Sequence, residues 1–253
     1  PRTQEGNFWH KLIYPNQVWL DGLYMVMPFY LQYLNMIGDY QYDDIVNQYE
    51  NVYRNMFDKN KKLYYHGYDA TRTIFWANKE TGLSKSFWLR SMGWYLVSMV
   101  DVFEYSKNEA FNQMLQKRIK ELIDSLLSYQ DQKTCMFYQV VDLPTQEGNY
   151  LETSGSAMIA YAVLKSVRLG ILTEEYHQMG KNIFYGICNK YLKEVNGSLS
   201  LGGICLVAGL GPEGNMRRDG TYEYYLSEPI VENDAKGVAP FIMAYVEIIR
   251  SKL

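Results

Sequence analysis

The chain has 253 residues, and at roughly 100–200 residues per domain this length indicates one large domain or two small ones. Hydrophobic residues make up 47% and charged residues 21%, a globular composition that excludes disordered and low-complexity chains. The net charge is −3 and no basic stripe is present, so we expect no nucleic-acid partner. Every long apolar stretch is interrupted by a charge, as by Lys165 and Arg168, so we expect no membrane span.

Three segments carry apolar residues at helical spacing with charged residues between them, which predicts helices that have one buried face. These outer helices are expected at 43–57, 111–126 and 174–192. Four further helical segments are apolar nearly all round, which is typical of helices buried on most sides. These inner helices are expected at 18–36, 87–103, 154–169 and 238–249, and β-prone segments follow the outer helices at 62–66, 135–141 and 198–207.

The four inner segments begin near residues 18, 87, 154 and 235, that is 69, 67 and 81 residues apart, which indicates a repeated helical hairpin. The sequence therefore predicts an all-α fold, a six-hairpin α/α barrel (toroid), as a single domain over residues 1–253. Seven helices form only an open arc of such a barrel. We interpret the start of the chain as a cut inside the domain, and expect about five helices, on the order of 100 residues, before Pro1.

The densest polar and aromatic segments lie where the inner helices start, at 17–25, 87–94, 152–158 and 227–237. In an α/α barrel all inner helices run in the same direction, so these four starts meet at one rim. The sequence predicts that a cleft lined by Trp, Tyr, Asp, Arg, Glu and Lys side chains forms there.

Asp21 is the most unusual residue of this rim, because it lies in an otherwise apolar helix start beside Trp19 and Tyr24. A lone carboxyl group in such a place is costly unless it is capped, paired or functional. Its position at a helix start should lower its pKa, whereas burial among aromatic rings should raise it. A role as a general acid predicts that burial prevails and that the carboxyl group stays protonated at neutral pH.

Other rim residues have both a structural and a functional interpretation. Arg90, between Trp88 and Trp94, pairs either with a carboxylate of the protein or with one of a ligand, and we favour the ligand. Ser154 or Thr153 is either a helix cap or a ligand contact, at about even odds. Asp234 is expected to be a cap. Three glycines are expected to permit close approach of helices: Gly93, Gly155 and Gly237.

No metal or disulfide site is predicted. The three cysteines are odd in number and far apart, and the histidines lack the spacing of zinc ligands. His177 is expected on the polar face of an outer helix, and the other two in loops near the rim. These residues are Cys135, Cys188, Cys205, His10, His66 and His177.

Two long strings of the rim resemble glycoside hydrolase family 105, the unsaturated rhamnogalacturonyl hydrolases. They are Trp19-Leu-Asp-Gly-Leu-Tyr-Met25 and Glu152-Thr-Ser-Gly-Ser-Ala-Met158. Further similar segments span nearly the whole chain, among them 8–11, 66–69, 76–78, 81–84, 87–94, 138–142, 207–211, 218–229 and 233–237.

The resemblance implies a six-hairpin α/α barrel whose substrate is an oligosaccharide with a 4,5-unsaturated galacturonyl residue at its non-reducing end, the product that pectin lyases leave. It also implies that a vinyl ether is hydrated. An acid delivers a proton to C4, positive charge develops at C5, water adds there, and the resulting hemiketal opens and expels the remaining sugar. No metal or organic cofactor is implied.

On matching positions, the resemblance implies that Asp21 is the catalytic general acid/base. It also implies a set of substrate-binding residues, in which Arg90, and less strongly Lys236, faces the uronate carboxylate. The set is Trp19, Met25, His66, Trp88, Arg90, Trp94 and Lys236. The family uses a second aspartate upstream of the Asp21 motif, in a region that this chain does not cover.

Two other functions stay open at this stage. One is the related hydrolysis of unsaturated glucuronyl units from glycosaminoglycans. The other is a non-catalytic carbohydrate-binding α/α toroid.

Overall fold

The computed structural model describes residues 1–251, and its secondary structure is mainly helical. Seven long helices and one short one follow the chain. They are α1 (Leu20–Met36), α2 (Asp43–Met56), α3 (Leu89–Tyr105), α4 (Glu109–Ser128), α5 (Thr153–Arg168), α6 (Glu175–Tyr191), α7 (Tyr222–Leu226) and α8 (Ala235–Arg250).

The long helices form two layers. In the inner layer α1 packs against α3, α3 against α5, and α5 against α8, while α2, α4 and α6 pack outside α1, α3 and α5 respectively. The predicted division into four inner and three outer helices is confirmed, and so is the all-α toroid class. Helices α1 and α3 start two residues later than predicted, because the residues before them are extended, and α8 starts three residues earlier at its cap, Asp234.

Short antiparallel strands lie in the connections between helices. They are β1 (Gln17–Trp19), β2 (Phe57–Asp58), β3 (Leu63–Tyr64), β4 (Gly67–Asp69), β5 (Leu192–Val195), β6 (Ser198–Leu201), β7 (Ile204–Cys205) and β8 (Ile230–Val231), paired as β1–β4, β2–β3, β5–β6 and β7–β8. The β-prone segment 135–141 does not form a strand in the part of the chain that the structure describes. It contributes only two single antiparallel bridges, from Tyr138 to Leu151 and from Val140 to Trp88.

All inner helices run in the same direction, as contacts at both ends demonstrate. At one end, the start of α3 meets the start of α5 where Arg90 donates a hydrogen bond to Ser154. At the other end, the Asn35 amide of α1 donates to the last carbonyl of α3, and Arg168 of α5 reaches Glu247 of α8 at 2.6 Å. The four helix starts therefore share one rim, as predicted.

The two end helices of the arc expose apolar faces. On α1 the exposed side chains are Met25, Phe29, Tyr33 and Met36, and on α8 they are Ile242, Tyr245, Val246 and Ile249. Contiguous exposed apolar area of this extent is unusual on the surface of a monomeric soluble protein. The expectation of further helices in the ring stays a prediction.

Helices α3 and α5 approach closely because glycines face each other between them. A Cβ atom at Gly155 would overlap Leu89 Cγ, and one at Gly93 would lie 2.9 Å from Met158 Sδ. The predicted close approach of helices is therefore confirmed for Gly93 and Gly155. For Gly237 it is wrong, because this glycine packs against Ile204 of strand β7 and not against a helix.

We expect Gly155→Ala to lower the free energy of unfolding by about 1–3 kcal/mol, because the added methyl group forces α3 and α5 apart in a filled core. Urea denaturation checks this value. Gly214→Ala is the matched control, since a Cβ atom there meets nothing within 4 Å. Equal stability of the two variants would contradict the close-packing role.

Among residues 1–251, no helix combines the length and the apolar character needed to cross a bilayer. Within the same residues, no group of three or more His, Cys, Asp or Glu side chains is arranged to hold a metal ion.

Candidate active site

Pairing of β1 with β4 brings the two central residues of the site together. Trp19 lies opposite Gly67 in this ladder, and the first amide of α1, at Leu20, donates to the backbone carbonyl of His66. His66 thereby lies beside the first turn of α1, which carries Asp21. The Asp21 carboxylate Oδ2 is 3.1 Å from His66 Nε2, although the ring N–H is not well aligned with that oxygen.

Asp21 is largely buried, with 14% of its side chain exposed. Burial raises its pKa, but the neighbouring His66 imidazole and, less strongly, His10 oppose this, and the pKa of Asp21 ends below its usual range. The expectation that burial prevails is therefore wrong, because an imidazole that the sequence does not place next to Asp21 stabilises the carboxylate. Without substrate, Asp21 is ionised at neutral pH.

His66 is fully buried and is held on three sides. Its Nδ1 lies 2.7 Å from the Tyr225 hydroxyl, and its ring packs against Trp19 edge-on and against Trp88 at 4.7 Å between centroids. Tyr225, also buried, stacks on Trp88. Tyr225 is not among the site residues predicted from the sequence. Its only sign in the sequence is its place among the three tyrosines of α7.

Trp88 and Arg90 are both buried, and Trp88 packs against His66, so neither side chain forms an open wall of the site. Arg90 is 2% exposed, its guanidinium lies 4.9 Å from the Trp88 ring, and its Nη1 donates to the Cys205 carbonyl and to Ser154 Oγ. Within residues 1–251, no carboxylate oxygen lies within 4 Å of the Arg90 guanidinium. Pairing with a carboxylate of the protein is therefore not found, and contact with a ligand stays a prediction.

The other expected substrate-binding residues lie nearer the surface. Trp94 is half-buried and stacks on Tyr24, with 4.5 Å between centroids, and Met25 is 56% exposed. Lys236 is partly exposed, with its Nζ 2.8 Å from the Asp234 carboxylate. Their part in binding stays a prediction.

A small cavity of about 150 Å³ borders the residues on either side of Asp21. Its lining includes Trp9, His10, Trp19, Gly22 and Met25. Aromatic rings and polar atoms converge there, as is usual where small molecules bind.

His10 packs flat on Trp19, with 4.0 Å between ring centroids, and Tyr14 contacts the same indole. Burial lowers the pKa of His10 to about 4. The imidazole is therefore neutral at pH 7, so it completes an aromatic stack on Trp19.

Because an unfolded histidine titrates near 6.5, the unfolded chain binds more protons at His10 than the folded chain between pH 6.5 and about 4. The contribution of neutral His10 to the free energy of unfolding is thus fully present above pH 6.5 and is lost as the pH drops through that window. In His10→Gln we expect the free energy of unfolding to fall less over the same pH range, by up to about 3 kcal/mol. Urea denaturation at several pH values measures it, with His177→Gln as the control for loss of a histidine. An unchanged slope in His10→Gln would contradict the effect.

The start of α5 is capped by Glu152, which is fully buried. Its carboxylate accepts hydrogen bonds from the amides of Ser154, Gly155 and Cys205, and from the Ser154 hydroxyl at 2.6 Å. Of the two interpretations of Ser154 and Thr153, the helix cap is wrong, because both lie inside the helix and Glu152 reaches its free amides, while contact with a ligand stays a prediction. The expectation for Asp234 is confirmed, since its carboxylate accepts from the Lys236 amide at the start of α8.

Comparison with known proteins identifies the family. The family model of Glycosyl Hydrolase Family 88 matches residues 1–252. The curated protein Atu3128 of Agrobacterium fabrum is 40% identical over 190 residues, which are 73% of this chain and 81% of that protein.

Two solved structures are also similar. A glycoside hydrolase from family 105 of C. acetobutylicum is 45% identical with a TM-score of 0.94, over 98% of this chain and 69% of that one. The unsaturated glucuronyl hydrolase of Bacillus sp. GL1 shares the fold, at 15% identity and a TM-score of 0.67, over 94% of this chain and 60% of that one. The chain therefore belongs to the glycoside hydrolases of families 88 and 105, and it is an α/α-toroid glycoside hydrolase.

Proposed function

We propose that this chain removes 4,5-unsaturated galacturonyl residues from rhamnogalacturonan (pectin) oligosaccharides, and that Asp21 supplies the proton that starts hydration of the vinyl ether. One observation carries the proposal. The Asp21 carboxyl group lies at the edge of an aromatic-lined site, partly exposed and 3.1 Å from an imidazole that can exchange a proton with it.

The ionised state of Asp21 without substrate is compatible with this role. An unsaturated uronate carries its own carboxylate, and a second negative charge close to Asp21 raises the pKa of the aspartic acid. Substrate binding also excludes water, which favours the neutral carboxyl group further. Asp21 therefore takes up its proton as the sugar binds and delivers it to C4.

The buried Arg90 guanidinium supports an anionic sugar. It has no carboxylate within 4 Å among the described residues, and the buried Glu152 carboxylate reaches it only through the Ser154 hydroxyl, which both groups contact. A buried cation with no direct carboxylate partner can still gain from an arriving carboxylate. Because Arg90 is enclosed, it acts mainly through its positive field, while Lys236 and Trp94 are exposed enough for direct contact.

The decisive experiment compares two unsaturated disaccharides, one with galacturonyl linked to rhamnose and one with glucuronyl from a glycosaminoglycan. Turnover is followed as loss of the ultraviolet absorbance of the double bond. We expect faster turnover of the galacturonyl disaccharide. Faster turnover of the glucuronyl disaccharide would favour the related hydrolase, whereas sugar binding without turnover of either would favour a non-catalytic toroid.

A further inference from the structure

Tyr225 is the one polar contact of His66 on the side away from Asp21. The Tyr225 hydroxyl lies 2.7 Å from His66 Nδ1, and within residues 1–251 it has no other hydrogen-bond partner. Both side chains are completely buried, so water does not compete for this bond. Two further contacts hold Tyr225 in place. Its ring stacks on Trp88, and its backbone carbonyl accepts a hydrogen bond from the Gln139 amide.

The direction of this hydrogen bond follows from the charges around it. A neutral imidazole carries one N–H, on either Nδ1 or Nε2. If Nδ1 carried the hydrogen, the lone pair of Nε2 would face the ionised Asp21 oxygen at 3.1 Å, and the Tyr225 O–H would have no acceptor. If Nε2 carries it, Asp21 faces a donor and Tyr225 donates to Nδ1. In the second arrangement the Tyr225 hydrogen bond is made and the Asp21 oxygen faces an N–H rather than a lone pair, so the contact at 3.1 Å is attractive even though it is not well aligned.

We infer that Tyr225 is a positioning residue, which holds His66 in the tautomer with its hydrogen on Nε2, facing Asp21. The catalytic part of this inference rests on the proposed function. The Tyr225 phenol keeps its proton because burial raises its pKa well above 10. When the pair of Asp21 and His66 takes up the catalytic proton, the same hydroxyl can turn and accept from Nδ1–H. Tyr225 therefore supports both proton states without touching the sugar.

Nitrogen-15 NMR of the histidine rings tests the tautomer without any substrate. Long-range couplings distinguish protonated from unprotonated ring nitrogens, and His10→Gln and His177→Gln assign two of the three histidines by elimination. In the wild-type protein at neutral pH we expect His66 to carry its hydrogen on Nε2. A hydrogen on Nδ1 overturns the inference.

A pair of variants separates the effect of Tyr225 from that of Asp21. In Asp21→Asn the carboxylate no longer selects the tautomer, so Tyr225 alone should keep the hydrogen on Nε2. In the double variant Asp21→Asn with Tyr225→Phe, we expect both nitrogen resonances to move toward the average of the two tautomers. Loss of the tautomer in Asp21→Asn alone, or its full retention in the double variant, overturns the inference.

Kinetics of Tyr225→Phe test the catalytic part. We expect kcat to fall about tenfold, because one buried hydrogen bond to the acid–imidazole pair is lost, while KM stays within about twofold. Tyr224→Phe is the matched control, since it removes a neighbouring hydroxyl that accepts from the Gly209 amide and does not contact His66. Equal kcat values for the two variants overturn the catalytic part. If the wild-type protein turns over neither disaccharide, the proposed function fails, and the NMR result still decides the tautomer.

Discussion

Replacing Asp21 by asparagine is expected to lower kcat on the unsaturated disaccharide about 10³-fold, while KM changes less than about threefold. The amide keeps the shape of the carboxyl group but cannot donate the proton that the vinyl ether needs, and loss of a general acid typically costs 10²–10⁴ in rate. Because the amide has nearly the same size and polarity as the carboxyl group, we expect little change in substrate binding. Steady-state kinetics, with the double bond followed by absorbance, measure both constants.

The matched control for Asp21→Asn is Asp43→Asn. Asp43 also lies in the first turn of a helix, α2, but it is exposed, and α2 begins just after the end of α1 that lies away from the rim. We expect wild-type kcat for this control. Wild-type turnover in Asp21→Asn would exclude Asp21 as the proton donor and leave the proposed reaction without its acid.

Replacing Glu152 by alanine is expected to lower the free energy of unfolding by about 3–5 kcal/mol. The carboxylate holds three backbone amides and one hydroxyl in a fully buried place, and its removal leaves those donors without acceptors. For a chain of this size the loss corresponds to a fall in Tm of roughly 10 °C. Thermal unfolding followed by circular dichroism measures it.

Glu147→Ala is the control for this second prediction, because Glu147 is exposed in the loop before α5 and caps no helix. We expect its Tm to stay within about 2 °C of the wild-type value. A similarly small change in Glu152→Ala would mean that the amides at the start of α5 find other acceptors, and that Glu152 does not hold this part of the rim together.

Periodicity predicted the architecture well because the spacing of apolar and polar residues along a helix reflects which of its faces are buried. A helix such as α5, with almost every residue from Thr153 to Ser166 buried, has no polar face to show, whereas α4 alternates apolar and charged residues along its length. Helix ends were predicted less well, because caps depend on single side chains. Glu152 caps α5 through the amides of Ser154 and Gly155, and the same carboxylate is held by the amide of Cys205, which is 53 residues away in the chain.

The candidate site was predicted in part. Its proposed acid, Asp21, stood out as a carboxyl group in an apolar helix start, and the motif resemblance pointed to His66, Trp88 and Arg90. The sequence could not reveal that these last three are enclosed, because exposure depends on how β1 pairs with β4 and how α7 covers the rim. Tyr225 was missed for the same reason, since 159 residues separate it from His66.

By itself, the sequence determined the alternation of inner and outer helices, the single rim at which the inner helices start, and the family. Each of these depends on local composition or on continuous strings of residues. Only the tertiary structure decided the protonation state of Asp21. A pKa is set by the charges, the hydrogen-bonding groups and the solvent within a few ångströms of a group. The pKa of Asp21 is lowered by the imidazole of His66, 45 positions along the chain, which the pairing of β1 with β4 brings to 3.1 Å.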